Sequence, residues 1–414
     1  MKSAASPADD ATSKTKVSAV PLLDIQRQHA PLRAEIDAAL ARVCDSGRFI
    51  LGPDCEELET RLAGYCQARH AVACASGSDA LLLALMAGGI GPGDEVLLPS
   101  YTFFATAGAV WRLGARPVFV DIDPANFNIS PTDAQRRVTP RTKAIIPVHL
   151  FGQCADMAAI GAIAQHHHLL LVEDAAQAIG AEFDGHRAGS LGHIGCFSFY
   201  PTKNLGGIGD GGMLTTQDQE TAERLRLLRG HGMQPRYYHQ TVGVNSRLDT
   251  LQAAVLNVKF PHLDRWSAQR QANAERYSAL LSDGGLGRTL GLPSAPRRGK
   301  HVWNQYVVRV PGGKRDALRE HLSRSGVGTE IYYPVPLHLQ QCFKELGYAK
   351  GSLPESERAA LETIALPIFP ELTAAEQQFV VERIAEFLRS GVHGQPKPHL
   401  APGNLTGTGD VARA

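Results

Sequence analysis

Short apolar runs alternate with helical patterns along the first half of the chain. Seven such runs lie at 71–76, 94–99, 116–121, 143–149, 169–173, 194–200 and 212–216. Helical patterns separate several of them, for example at 78–89 and 156–167. Strands that are buried on both faces form continuous apolar runs, and crossover helices between strands favour parallel pairing. The pattern therefore predicts an α/β fold with a largely parallel sheet, in which ligands bind beyond the carboxyl ends of the strands.

The pattern changes after about residue 250. A helical pattern with one break, at Pro261, runs to about residue 281. The elements that follow are predicted strands at 302–310 and 328–333 and predicted helices at 315–326 and 374–390. Together these elements predict a smaller α+β domain. We therefore expect four regions: a disordered segment at 1–17, a large α/β domain at 18–260, a small α+β domain at 261–390 and a flexible tail at 391–414.

Charge and cysteine content argue against several classes of protein. The 414 residues carry 42 Lys plus Arg and 41 Asp plus Glu, a net charge of +1, which disfavours a broad basic face for nucleic acid or membrane lipids. No apolar run approaches the ~20 residues that span a bilayer. Seven cysteines without a C-x-x-C pair predict reduced thiols, and the polar N-terminus lacks the apolar core of a secretory signal. The default expectation is a cytoplasmic enzyme.

Polar residues follow three of the predicted strands. Gly77, Ser78 and Asp79 stand at a helix start, where they favour either an ordinary N-cap or a cup for a phosphate. Asp174 is either a structural carboxylate or one kept ionised by a protonated ring nitrogen. Lys203 is either a surface charge or a desolvated amine able to form a Schiff base. Each residue alone favours the structural interpretation, whereas the three together, in this order, favour the functional one.

The combination resembles the DegT/StrS-type sugar aminotransferases, which are fold-type-I enzymes that depend on pyridoxal 5'-phosphate (PLP). The resemblance covers roughly residues 20 to 390. It is carried by the stretches ACASGSDALLLAL, PSYTFFATA, VEDAAQAIGA, CFSFYPTKNLG, GDGGMLTT, GVNSRLDTLQAAVL, YYPVPLHLQ and LPESERAALETIALPIFPEL. It implies the fold of a fold-type-I PLP-dependent transferase, with a mostly parallel seven-stranded sheet sandwiched by helices and a smaller α+β C-terminal domain.

The resemblance implies chemical roles for four side chains around the cofactor ring. Lys203 would form the Schiff base with PLP and then move the proton between cofactor and substrate carbons. Asp174 would pair with the pyridinium nitrogen and keep it protonated, so that the ring acts as an electron sink. Gln177 would bond near the phenolic oxygen, and Phe103 would stack on the ring face.

The resemblance also implies how the phosphate and the sugar are held. Gly77, Ser78 and Ser198 would hold the phosphate, together with Asn245 from the neighbouring subunit, which implies an obligate homodimer. The candidates for touching the nucleotide sugar are Arg247, Tyr238, His239, Tyr332 and His338. Arg247 matches relatives that handle a uronate, but some of those carry histidine where this chain has Tyr332.

The sequence therefore predicts a PLP-dependent aminotransferase that transfers an amino group from glutamate to a keto sugar of a nucleoside diphosphate sugar. The nearest resemblance is to members that act at C3, and a 4-keto substrate is the alternative. A dehydratase of the same fold would carry histidine in place of Lys203, and a non-catalytic regulatory protein would be expected to lose Lys203, Asp174 or Ser198. A G-x-G-x-x-G over 207–212 precedes a strand, the wrong context for a dinucleotide fingerprint, and the tract at 166–168 predicts a solvated helix end rather than a metal site.

Overall fold

A computed structural model describes residues 17–296 and 298–390. The segment 1–16 and the tail 391–414, for which disorder and flexibility were expected, lie outside the described residues. The strands are β1 (His70–Cys74), β2 (Glu95–Pro99), β3 (Arg116–Val120), β4 (Thr142–Ile145), β5 (Leu170–Asp174), β6 (Glu182–Phe183), β7 (His186–Arg187), β8 (Ile194–Ser198), β9 (Gly212–Thr216), β10 (Gly299–Lys300), β11 (Tyr306–Arg309) and β12 (Thr363–Leu366).

The helices connect and cover these strands. They are α1 (Ile25–His29), α2 (Arg33–Ser46), α3 (Pro53–Tyr65), α4 (Gly77–Ala87), α5 (Phe104–Arg112), α6 (Pro131–Arg137), α7 (Met157–His166), α8 (Gln219–Arg229), α9 (Thr250–Lys259), α10 (Leu263–Asp283), α11 (Arg315–Arg324), α12 (Pro354–Glu362) and α13 (Ala374–Arg389). No helix among the described residues is both long enough and apolar enough to cross a membrane.

Seven strands form the central sheet in the order β1-β9-β8-β5-β4-β2-β3. The pairs from β3 to β8 are parallel, and β9 runs antiparallel to both of its neighbours. Apolar clusters lie on both faces of the sheet, one including α4, α5 and α8 and others including α3, α7 and α9. The prediction of a mostly parallel seven-stranded sheet sandwiched by helices is confirmed.

The register of the sheet brings three polar strand ends to one edge. Asp174 at the end of β5 lies opposite Cys196 of β8, and Gly212 of β9 lies opposite both Ser198 and Cys74. A Cβ added to Gly212 would lie 2.4 Å from the carbonyl oxygen of Ser76, so β9 approaches the start of α4 as closely as a glycine permits. The polar residues that follow β1, β5 and β8 therefore surround the same carboxyl edge.

A two-stranded antiparallel sheet of β11 and β12 packs with α10, α11 and α13 around a second core. Val20 belongs to this core, since its N–H donates to Gly326 O at 2.9 Å and its carbonyl accepts from Gly328 N at 2.9 Å. Val17 and Leu23 also pack against this second core. The domain boundary at residue 18 stays a prediction.

The predicted strand at 328–333 is not present, because its backbone is satisfied elsewhere. Only Glu330 forms a bridge, to Ala365, while Tyr333 N donates to the Tyr101 hydroxyl at 3.1 Å and Tyr332 O accepts from the same hydroxyl. The partner of β11 is instead β12, which the sequence analysis did not predict because it follows α12 without an intervening turn. The expected strand at 302–310 shortens to β11, and the break at Pro261 separates α9 from α10 as expected.

Candidate active site

Asp174 is a buried carboxylate at the carboxyl end of β5. Its Oδ2 accepts a 2.8 Å hydrogen bond from the Thr106 hydroxyl, and its Oδ1 accepts a longer bond of 3.3 Å from Ala176 N. Burial raises the pKa of Asp174 above its ordinary value, although the bond from Thr106 and the positive charge of Lys203 act in the opposite direction. A cation or a ring N–H at Oδ1 would stabilise the ionised form.

Lys203 lies on the loop that follows β8, where its N–H donates to Tyr200 O at 2.9 Å. Burial lowers the pKa of Lys203 to about 8, since the attraction of Asp174 offsets only part of the cost of desolvating the ammonium. A lysine with this pKa has a larger neutral fraction near neutral pH than an exposed lysine, and the neutral amine is the form that attacks a carbonyl carbon. Asp174 ends β5 and Lys203 follows the paired strand β8, and each side chain shifts the pKa of the other.

The start of α4 lies against the end of β8. Ser76 caps the helix by accepting from Asp79 N at 3.1 Å, so the cap is Ser76 and neither Ser78 nor Asp79. The first-turn N–H groups of Gly77 and Ser78 are therefore available to bind an anion at the helix N-terminus. A Cβ added to Gly77 would lie 2.6 Å from Ser198 Cβ, which places Gly77 and Ser198 side by side as the predicted cup requires.

Gln177 and Phe103 meet at a tyrosine that the sequence analysis did not single out. Gln177 Oε1 accepts from Phe151 N at 2.7 Å, and its Nε2 donates to the Tyr333 hydroxyl at 3.3 Å. Phe103 stands at the N-cap of α5 with 57% of its surface exposed, and its ring centroid lies 6.0 Å from that of Tyr333. The exposed phenyl face is available to a planar ring.

The glycine-rich loop after Lys203 is a turn held by α9. A Cβ added to Gly207 or Gly209 would lie 2.7 Å from the Gln252 side chain, and Gln252 Oε1 accepts from Ile208 N at 3.0 Å. Turns and bends follow β8 in this loop, as expected, and a strand rather than a helix follows the glycines.

Two of the sugar-site candidates lie on an exposed hairpin at residues 232–240. Tyr238 is 70% exposed, and His239 is exposed with its Nδ1 3.0 Å from His231 O. Asn245 is also exposed, and Arg247 is half-buried with an Nε that has no partner among the described residues. Within the described chain, no hydrogen bond or ion pair connects these four side chains to Lys203 or Asp174.

The other two candidates differ in accessibility. Tyr332 is half-buried, and its ring centroid lies 5.8 Å from that of Tyr333 beside Gln177. His338 is fully buried, with Nδ1 2.7 Å from Ser100 Oγ and Nε2 3.1 Å from Glu357 Oε1. Both ring nitrogens therefore have partners inside the protein, and the expected contact of His338 with the sugar stays a prediction. Burial lowers the pKa of this imidazole, although Glu357 acts in the opposite direction.

Sequence analysis missed Thr106 and Tyr333, which complete the surroundings of Asp174 and Gln177. Thr106 is separated by 68 positions from the carboxylate that it contacts, and Tyr333 by 156 from Gln177. The sequence offered one signal for Thr106. It stands three residues after Phe103, the N-cap of α5, so the two lie on one helix turn.

Comparison with known proteins agrees with this geometry. The sequence model of the "DegT/DnrJ/EryC1/StrS aminotransferase family" matches residues 31–385. Over 370 residues the chain is 53% identical to a "Pleiotropic regulatory protein" of Geobacillus stearothermophilus, covering 89% of this chain and 99% of that protein. It is 46% identical to the UDP-N-acetyl-3-dehydro-alpha-D-glucosamine 3-aminotransferase of Acidithiobacillus ferrooxidans, covering 92% and 100% of the two chains.

A solved structure extends the comparison to three dimensions. S. venezuelae DesV in complex with a ketimine intermediate superposes with a TM-score of 0.86 at 45% sequence identity, covering 90% of this chain and 99% of that chain. Three observations agree on the family of this chain: the order of the strands, the residues at the strand ends, and the match over nearly the whole described chain. This protein belongs to the DegT/DnrJ/EryC1/StrS aminotransferase family.

Proposed function

We propose that this chain is a PLP-dependent aminotransferase that transfers an amino group from glutamate to C3 of a keto sugar carried by a nucleoside diphosphate. The observation that carries the proposal is the coupled pair of Lys203, with a pKa of about 8, and the buried carboxylate of Asp174. Buried Lys259 has a similarly lowered pKa without the charge of a carboxylate acting on it, so the pairing with Asp174 is what distinguishes Lys203. An amine that attacks a carbonyl carbon needs to be neutral at working pH.

The described residues fit PLP at three points. The free N–H groups at the start of α4, with Ser198 packed against Gly77, suit a phosphate dianion. Asp174 Oδ1, which accepts only the long bond from Ala176 within the described chain, is the oxygen with capacity for a pyridinium N–H. The exposed face of Phe103 suits the pyridine ring.

When bound, PLP would supply an electron sink that makes the Cα proton of an amino acid removable. Lys203 would carry that proton, because its amine is substantially neutral near pH 8 and its charged form is stabilised by Asp174. Asp174, held by Thr106, would keep the proton on the ring nitrogen. Gln177 is fixed by Phe151 N, so its amide would stay oriented beside the ring while the substrates exchange.

The first experiment is an absorption spectrum of the purified protein after incubation with PLP, before and after glutamate. We expect a visible band that loses intensity on addition of glutamate as the cofactor accepts the amino group. Lys203→Ala should abolish the response, whereas Lys344→Ala, which removes an exposed lysine, should leave it unchanged. A wild-type protein that binds no PLP would overturn the proposal.

The assignment to C3 follows the Acidithiobacillus relative, whose name specifies a 3-dehydro sugar and a 3-aminotransferase. Incubating the glutamate-treated enzyme with 3-keto and 4-keto nucleotide sugars, and detecting the amino product by mass spectrometry, tests the position directly. Amination of the 4-keto sugar alone would replace the assignment with its alternative.

We further propose a homodimer in which Asn245 reaches the phosphate of the partner subunit, because Asn245 is exposed although its neighbour Ser246 is buried. Subunit mixing tests this arrangement. A hybrid of Lys203→Ala and Asn245→Ala subunits retains one intact site if Asn245 acts across the interface, and none if it acts within its own chain. Activity that exceeds that of either variant alone supports the proposal, and the absence of complementation contradicts it.

A regulatory function is the second candidate, favoured by the name of the Geobacillus relative, a pleiotropic regulatory protein. A purely regulatory protein would have no use for the reactive pair of Lys203 and Asp174. Retained PLP binding without any amino transfer from glutamate would favour this candidate over the enzyme.

A further inference from the structure

The residue before Asp174 is a second fully buried carboxylate, Glu173. Successive strand residues face opposite sides of a sheet, so Glu173 lies on the face away from the Asp174 carboxylate. Its Oε1 accepts from Leu191 N at 2.8 Å and Gly192 N at 2.7 Å, and its Oε2 accepts from Gly189 N at 2.8 Å. A buried carboxylate is costly unless hydrogen-bonded, and here a single turn supplies three donors.

The fourth donor to Glu173 is the imidazole of His149, which is also fully buried. Ala155 N donates to His149 Nδ1 at 3.2 Å, so Nδ1 carries a lone pair and the ring proton is on Nε2. That Nε2 lies 2.9 Å from Glu173 Oε2 and donates to it. The two bonds fix both the tautomer and the orientation of the ring.

The main chain of His149 also contacts Asp174. His149 N donates to Asp174 O at 3.0 Å, and Asp174 N donates to Pro147 O at 3.0 Å. His149 therefore bonds to the backbone of Asp174 through its main chain and to the side chain of Glu173 through its ring. Rotation of the end of β5 about its own axis would break both contacts at once.

We propose that His149 and Glu173 are positioning residues for Asp174: they lock the end of β5 so that the Asp174 carboxylate is held at a fixed angle to the cofactor ring. This inference rests on the proposed function, because it concerns the carboxylate that would pair with the ring nitrogen. The side chains of His149 and Glu173 bond to each other and not to the Asp174 carboxylate, so they would act on that carboxylate through the backbone at the end of β5.

The test compares three variants in the full-length, PLP-loaded protein. His149→Leu removes the donor to Glu173, and His149→Gln is long enough to restore a donor near the position of Nε2. His193→Leu is the matched control, because His193 is likewise hydrogen-bonded to the backbone of β5, its Nδ1 accepting from Leu171 N near the opposite end of the strand. Each variant is measured for melting temperature, PLP dissociation constant, the pH midpoint of the cofactor absorption band, and the rate and KM of the reaction with glutamate.

We expect His149→Leu to lower the rate of amino transfer about tenfold or more, with the KM for glutamate changed by less than about threefold, because a misplaced group affects the reaction more than binding. The absorption midpoint should also move, and His149→Gln should recover both properties. His193→Leu should lower only the melting temperature. If His149→Leu does not fold, His149→Asn, which is too short to reach Glu173, provides the same comparison.

The experiment distinguishes a failure of the positioning role from a failure of the proposed function. Wild-type protein that shows no response to glutamate would overturn the proposed function before any variant is compared. A responsive wild type together with a His149→Leu variant that matches His193→Leu in midpoint, rate and PLP affinity would overturn the positioning role alone.

Discussion

The Thr106 hydroxyl donates a 2.8 Å hydrogen bond to Asp174 Oδ2 across two elements, α5 and β5. Burial raises the pKa of Asp174, and this bond from a neighbouring helix opposes part of that rise and so favours the ionised form. Oδ1 accepts only the long bond from Ala176 N within the described chain, so it has spare capacity for another donor.

Replacing Thr106 by Val, which has the same shape but no hydroxyl, should raise the pKa of Asp174 further. Ionised Asp174 is the form that holds a protonated ring nitrogen, so the acidic limb of the pH–rate profile should move to higher pH. Loss of a bond to a charged group should also destabilise the fold by about 2 kcal/mol. Thr106→Ser should keep the wild-type limb, and identical profiles for all three proteins would contradict the assignment.

Gly77→Ala tests the contact between α4 and β8. The new Cβ would lie 2.6 Å from Ser198 Cβ, so Ser198 must move, and both residues belong to the proposed phosphate cup. Overpacking of this kind costs about 1–3 kcal/mol, which predicts a loss of PLP affinity of about tenfold or more.

The matched control for Gly77→Ala is Gly64→Ala in α3, where a Cβ meets nothing within 4 Å. That substitution should leave PLP affinity unchanged and stabilise the helix by about 0.5–1 kcal/mol. Fluorescence titration of the two apoproteins with PLP makes the comparison. Equal affinities would show that the phosphate is held elsewhere.

The sequence predicted the sheet far better than the contacts that complete the site. All seven central strands were predicted because an apolar run is a local signal in the sequence. The runs that precede Gly77 and Asp174 are two examples. The contacts of Thr106, Tyr333 and His149 join positions that are distant in sequence, and no periodicity encodes such pairs. The stretch at 328–333 shows the reverse case, because a strand-like composition is overridden when the Tyr101 hydroxyl takes the backbone groups of Tyr332 and Tyr333.

Asp121 should stabilise the packing of α12 on the large domain. Its carboxylate accepts from Glu355 N at 3.0 Å and from both the N–H and the hydroxyl of Ser356 at 2.7 Å, so it caps a helix that lies 234 positions away. Asp121→Ala should lower the free energy of unfolding by about 2 kcal/mol, the upper range for loss of a helix cap. Urea unfolding measures the change, and a loss below about 0.5 kcal/mol would show that the cap is replaceable by water.

The burial of Lys259 predicts that the stability of the fold changes with pH, whether or not the protein is catalytically active. This lysine on α9 is fully buried, donates to Gly206 O, lies 3.2 Å from His29 Nε2, and forms no ion pair with a carboxylate in the described part of the chain. Burial lowers its pKa from 10.5 to about 8. Between these two values the unfolded chain binds a proton that the folded chain does not, so stability should rise with pH across this window.

Lys259→Met removes the amine that binds this proton, so the free energy of unfolding should rise less with pH. The stability of the wild type relative to the variant should increase by about 3 kcal/mol between pH 7.5 and pH 10.5, at about 1.4 kcal/mol for each pH unit within the window. Lys203 has a similar lowered pKa, so the comparison is made between the wild type and Lys259→Met, in which the contribution of Lys203 cancels. Urea unfolding of the two apoproteins at several pH values gives the difference directly. Parallel stability curves would mean that Lys259 keeps its proton throughout, and that Gly206 O and His29 stabilise the ammonium more than its burial destabilises it.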